Sequence, residues 1–130
     1  MRYEDWPERL DAKLREWEAI PFVWGKTDCV AFIRDVVRAL TGKEITNRSD
    51  GTYGTEFGAL RAIKNYGDDL EESVTLRFGE PIPVLFAQRG DILLDKNNLG
   101  ICIGTFGAFR GIDGIVEIPL SDCAAAWRCE

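Results

Sequence analysis

Apolar residues recur at helical spacing near the start of the chain and at strand-like spacing towards its end, with polar, glycine-containing stretches between. Leu10, Leu14 and Trp17 share one face of a first helix, and Arg9, Lys13 and Glu16 fill the others. Asp5 with Glu8 three residues on has the capping-box pattern, Pro7 is tolerated in the first turn, and Ile20-Pro21 ends the helix. A second helix is predicted over 29–41. Asp28 is its N-cap, Ile33, Val36, Val37 and Leu40 form its apolar stripe, and Gly42 is its stop. It is the most apolar of the helices and is expected at the centre of the core. The turn formers of 46–56 predict a loop. A third helix is predicted over 56–65, with Phe57, Leu60 and Ile63 on one side, and a short acidic helix over 69–76.

After Gly79 the pattern changes. Pro81 and Pro83 break helices, and from Gly90 onward the apolar positions follow strand periodicity. Strands are predicted over 91–94, 99–104, 107–110 and 114–118, with turns at Lys96-Asn97-Asn98, Thr105-Phe106 and Ile112-Asp113. Asp113-Gly114 between two apolar runs is a hairpin signal. A final helical turn is expected over 121–127. Helices first and a strand meander afterwards give an α+β class, N-terminal helices packed on a small antiparallel sheet, in one domain over 1–130.

Composition narrows the chemistry. The chain has 130 residues, of which 45% are hydrophobic, and a net charge of −6 from 16 basic and 22 acidic side chains. That balance argues against a nucleic-acid partner, because counterion release needs a basic surface. The chain contains no histidine, which excludes imidazole general bases, Ser-His and Cys-His dyads and histidine metal ligands. Four cysteines are present, and in a reducing cytosol free thiols are the expectation. Without histidine or a Cys-x-x-Cys pair, no metal or other cofactor is expected. The charged N-terminus lacks a secretory apolar region, and no apolar run approaches the about 20 residues of a membrane span.

Cys29 falls in the first turn of the second helix, where free N–H groups and the helix dipole favour a thiolate. That is a suitable place for a nucleophile. It is equally the place of a small apolar residue packing the helix onto a sheet, with Asp28 serving only as cap. Trp17 is expected in the core and Trp127 over the sheet, while Trp6 is open between core and interface. The acidic run 68–72 is expected to be a solvated helix start.

The ordered set Phe22-Val23-Trp24-Gly25, Asp28-Cys29, Arg89-Gly90-Asp91-Ile92 and Asn98-Leu99-Gly100-Ile101-Cys102-Ile103-Gly104 resembles the NlpC-type cell-wall peptidases, which are papain-like cysteine enzymes. The closest similarity is to a divergent branch encoded with phage and prophage tail genes, whose ending is matched by 114–121 and Ala126-Trp127-Arg128. The resemblance implies a papain-like, NlpC-like fold with Cys29 as nucleophile and Trp24 and Asp28 lining the cleft. The family's base histidine falls on Asn98 and its orienting residue on Arg110. Asparagine is no base, so the resemblance implies Asn98 as an orienting or oxyanion-side donor and Arg110 as an electrostatic partner of the thiolate.

Three readings follow. The fold is kept and the chemistry lost, leaving a structural or assembly component of a phage tail or a binder of peptide or glycan. Or Cys29 still attacks peptidoglycan peptide bonds, with Asp28, Asp91, Asp95 or a water in place of the imidazole. Or this is another small α+β interaction domain. Under the first two, the partners are other tail or tail-tip proteins and peptidoglycan peptide, and the locations are the host cytoplasm during assembly and the virion tail.

Overall fold

A computed structural model of the chain describes residues 2–23, 28–43, 70–96 and 98–130. The predicted loop 46–56, the predicted helix 56–65 and Trp24 lie outside the described residues.

Helix α1 spans Trp6–Glu18 and buries Leu10 and Trp17. Asp5 precedes it without capping it. Its backbone (φ −93°, ψ 26°) is not extended as an N-cap requires, and its carboxylate meets Arg9 one turn on, at 2.7 Å. Helix α2, Cys29–Thr41, follows the prediction closely. Asp28 is extended, and its carboxylate accepts the Ala31 N–H at 3.1 Å. Gly42, left-handed at φ 75°, closes the other end through its N–H to the Arg38 carbonyl. Phe32, Ile33, Val36, Val37 and Leu40 are buried. Trp17 locks the two helices together, with its indole N–H on Asp35 at 2.8 Å and its ring edge-on to Phe32 at 5.4 Å. Helix α3, Leu70–Phe78, is the acidic helix displaced by a residue or two.

Among the described residues the sheet is antiparallel, with five strands in the order β4-β3-β2-β1-β5. They are β1 Ile92–Asp95, β2 Asn98–Cys102, β3 Phe106–Gly111, β4 Gly114–Pro119 and β5 Ala125–Trp127. Asn98 therefore begins β2 opposite Asp95 rather than ending a turn, because Lys96 takes a positive φ of 55° and tightens the hairpin. The expected helical turn at 121–127 is corrected. Only Leu120–Asp122 makes a 3-10 turn, and Ala125–Trp127 is a strand on β1. The reason lies in β1, where Ile92, Leu93 and Leu94 are all buried. Three successive buried side chains mean a strand covered on both faces, which needs hydrogen-bonding neighbours at both edges. Pairing overrides the helical preference of an alanine run.

The two faces of the sheet are packed differently. Ile92, Leu94, Leu99, Ile101 and Ala108 meet α1 and α2 in the main core. Leu93, Cys102, Phe109 and Ala126 face the other way, under Ala87 and Leu120. On that second face Phe109 lies flat across glycines: a Cβ at Gly100 would stand 2.6 Å from its ring and 2.7 Å from the Ala108 carbonyl oxygen. Trp127 is buried, and its indole N–H reaches Thr75 of α3 at 3.1 Å, fastening that helix to β5.

A buried carboxylate closes the molecule. Asp91 is fully buried and accepts from Arg2 at 2.9 Å, the Gln88 N–H at 2.9 Å, Arg128 at 3.4 Å and the Cys129 N–H at 3.4 Å. Arg2 also donates to the carbonyls of Cys129 and Arg89, and its guanidinium stacks 4.5 Å from the Trp6 ring. Gly90, at φ 93°, carries the turn into β1, where a Cβ would stand 2.9 Å from the Arg2 guanidinium. Among the described residues no helix is long and apolar enough to cross a membrane.

Gly100→Ala is expected to lower unfolding free energy by about 2 kcal/mol, since both the Phe109 ring and the β3 backbone must shift. Urea denaturation checks this, and an unchanged midpoint would show that Phe109 has room to move.

Candidate functional site

The site is built where the start of α2 meets β2. Asp28, buried, fixes the first turn of α2 by capping Ala31, and the Phe32 N–H bonds its carbonyl at 2.9 Å. This sets Cys29 as the first helical residue, half-buried, with its own N–H and that of Val30 directed at its sulfur. A third N–H comes from across the core, from Leu99 of β2. Strands β2 and β3 pair from Gly100 opposite Phe109 to Cys102 opposite Gly107, and Leu99 is the next residue beyond that stretch. The topology thus brings Cys29 to the Leu99 backbone.

The electrostatics run against a thiolate. Burial pushes the Cys29 thiol up to about 11. The Leu99 N–H opposes that shift, the Asp28 carboxylate reinforces it, and the N–H groups of Cys29 and Val30 oppose it again. The N–H groups expected at the helix N-terminus favour a thiolate, and desolvation outweighs them. Burial likewise pushes Cys123 and Cys129 up to about 11. All four cysteines are free thiols.

Arg110 takes a different part from the one implied for it. It is buried on β3, on the helix-facing side, and its guanidinium donates to the Trp17 carbonyl at 2.8 Å and to the Ile20 carbonyl. The Trp17 and Phe22 rings stand 5.6 and 5.9 Å from it. These bonds hold the carbonyl end of α1, where a cation also complements the helix dipole. Burial lowers the Arg110 pKa, and the nearby Glu18 carboxylate raises it. The other carboxylates weighed as bases are engaged: Asp91 by Arg2, and Asp28 as the cap of α2. Asp95 stands opposite Asn98 in the β1–β2 hairpin, and its charge raises the Cys123 pKa. Asn98 is half-buried beside Leu99, and Trp24 lies outside the described residues. Sequence reasoning missed the Leu99 amide, which no side chain announces, and the cluster around Asp91. For the cluster, the one available signal was an aspartate set directly before the apolar run Ile92-Leu93-Leu94.

The fold and this site define an α+β protein with a capped helix that presents a protonated cysteine to the second strand of an antiparallel sheet. Residues 1–129 match the model of a domain of unknown function, DUF6950, and the chain belongs to that family. No curated protein matches the chain.

Two outcomes are expected from this geometry. Alkylation of Cys29 by iodoacetamide in the native protein should follow a thiol ionising near 11 rather than 9.0. At pH 7.5 that leaves about a hundredfold less thiolate than at an ordinary cysteine, and the rate should climb until the pH passes the raised pKa. Peptide-mapped labelling against pH measures it, and selective labelling of Cys29 at neutral pH would contradict it. Arg110→Ala should cost about 3 kcal/mol, because it strips the Trp17 and Ile20 carbonyls of charged donors in a buried place. Thermal and urea unfolding would register that loss. A variant as stable as the parent would mean that water replaces the guanidinium.

Proposed function

We propose that this protein is a phage or prophage tail-associated component with an NlpC-like, papain-like fold, acting in tail structure or assembly with a degenerate cysteine-peptidase site. The observation that carries the loss of chemistry is the state of Cys29 in a chain without histidine. Its thiol is protonated up to about pH 11, and the charge next to it is the Asp28 carboxylate, which opposes ionisation. Cysteine attack on an amide needs a thiolate and a group that returns a proton to the leaving amine. Asn98 supplies neither, and the Arg110 donors described above go to α1. Residues of such a site act as a unit, so loss of the base removes most of the rate. The tail setting rests on the resemblance of the ordered segments from Phe22 to Ser121.

A second reading keeps the enzyme, and one observation favours it. The N–H groups of Cys29, Val30 and Leu99 all lower the thiol pKa, and so favour the thiolate that attack needs. In that reading Cys29 is the nucleophile of a peptidoglycan-directed cysteine peptidase or amidase with a base other than histidine.

Purified protein incubated with peptidoglycan sacculi is expected to release no soluble muropeptide above a Cys29→Ala control, and to co-sediment with assembled tails when expressed beside the other tail proteins. Release that disappears in Cys29→Ala would replace the first reading with the second. Failure to co-sediment, with no release, would leave a small α+β interaction domain unconnected with tails.

A further inference from the structure

We infer that the cleft between α1 and the edge strand β4 docks an extended, basic segment of a partner protein, which adds to the sheet beside β4. The inference stands on the edge of the sheet and not on Cys29, and goes beyond the assembly role proposed above by naming the surface and the chemistry it takes.

Among the described residues β4 lies at one end of the strand order. A two-residue turn at Ile112-Asp113, with Gly111 opposite Gly114, fixes the phase of its ladder. Val116 and Ile118 exchange hydrogen bonds with Phe109 and Gly107, so the backbones of Ile115, Glu117 and Pro119 face away from β3. Two features agree with that phase. Pro119, which has no N–H to offer, occupies an outward position, and the Ile115 N–H is met by Glu18 at 2.9 Å rather than by β3. Glu18 thus occupies the place a neighbouring strand's carbonyl would take, and the Glu117 N–H is the next outward donor along the edge.

Beside these groups opens a cleft of about 320 Å³. Leu14, Ile103 and Ile115 form its apolar floor, and Arg15, Glu18 and Glu117 stand at its rim. A strand laid along β4 sends alternate side chains to the α1 side, where the cleft has room for an aliphatic one. Carboxylates outnumber the single cation at the rim, and the chain as a whole carries −6. The residue flanking the aliphatic anchor is therefore lysine or arginine. The same charges disfavour a second copy as occupant. Antiparallel β4–β4 pairing sets Glu117 against Glu117, or against the Glu18-capped Ile115, and like charges directly opposed destabilise a strand pair.

The test is a titration of the ¹⁵N-labelled full chain with a blocked pentapeptide alternating lysine and valine, and in parallel with its glutamate–valine counterpart. The amide signals of Leu14, Ile115 and Glu117 are expected to shift saturably with the lysine peptide and to stay in place with the glutamate peptide. Glu117→Lys, at an exposed position, should retain the parent spectrum elsewhere and weaken binding about fivefold. Cys29→Ala should bind as the parent does, so this surface and the cysteine site fail or stand separately. The inference is overturned if no signal shifts, if both peptides bind alike, or if shifts spread without saturation to Glu4 and Glu8. Concentration-dependent broadening of the same three amides without peptide would overturn it in favour of a second copy.

Discussion

The structure depends on one buried carboxylate. Asp91 is inaccessible to water, and an isolated charge there would be strongly unfavourable. It is tolerated because partners converge on it from three parts of the chain: Arg2 from the beginning, the Gln88 N–H from the turn before β1, and Arg128 with the Cys129 N–H from the end. The Gln88 contact is local, whereas those of Arg128 and Cys129 form only when residues 128 and 129 lie beside the start of β1. The ion pair therefore acts as a condition on assembly more than as a source of net stability, because desolvation offsets much of its Coulombic gain. From it follow the left-handed Gly90, the stacking of Arg2 on Trp6, and the position of α1 over the sheet.

Seen from that centre, the cysteine site follows from how α2 is packed. The cap at Asp28 and the apolar stripe of α2 seat the helix on Leu99 and Ile101. Cys29 follows into a half-buried place, where the electrostatic benefit of a helix terminus is smaller than the loss of water. Arg110 follows the same logic. A guanidinium on the core face of β3 must find acceptors, and the unpaired carbonyls at the end of α1 are the nearest set. Both residues meet requirements that the fold itself imposes.

Much of the fold was legible because it is governed by local rules. The stripe of α2, its two caps, the four-strand meander and the Asp113-Gly114 hairpin each have a short-range cause, and each appears close to where the pattern placed it. The misreadings share a different cause. Ala125–Trp127 has the composition of a helix and becomes a strand because β1 lacks a second neighbour. Asp5 has a capping sequence and a backbone that does not permit capping. At the site, the place of Cys29 in the first turn of α2 was readable from the Asp28 cap and the apolar stripe. The protonation of Cys29 and the orientation of Arg110 were not, since both are set by burial across the core and by distant carbonyls.

The strand order carries a consequence for how the chain comes to be folded. β1 sits between β2 and β5, and β5 ends three residues before the last residue of the chain described here. During synthesis from the N-terminus, the meander from β1 to β4 is complete while one edge of β1 is still bare, with Leu93 and Leu94 beside it. That open edge is a ready template for a strand from another chain. The closing piece is small, and its arrival seals the edge and delivers Arg128 and Cys129 to Asp91 in one movement. The chain is thus most exposed to mispairing in the interval before residues 125–127 take their place on β1.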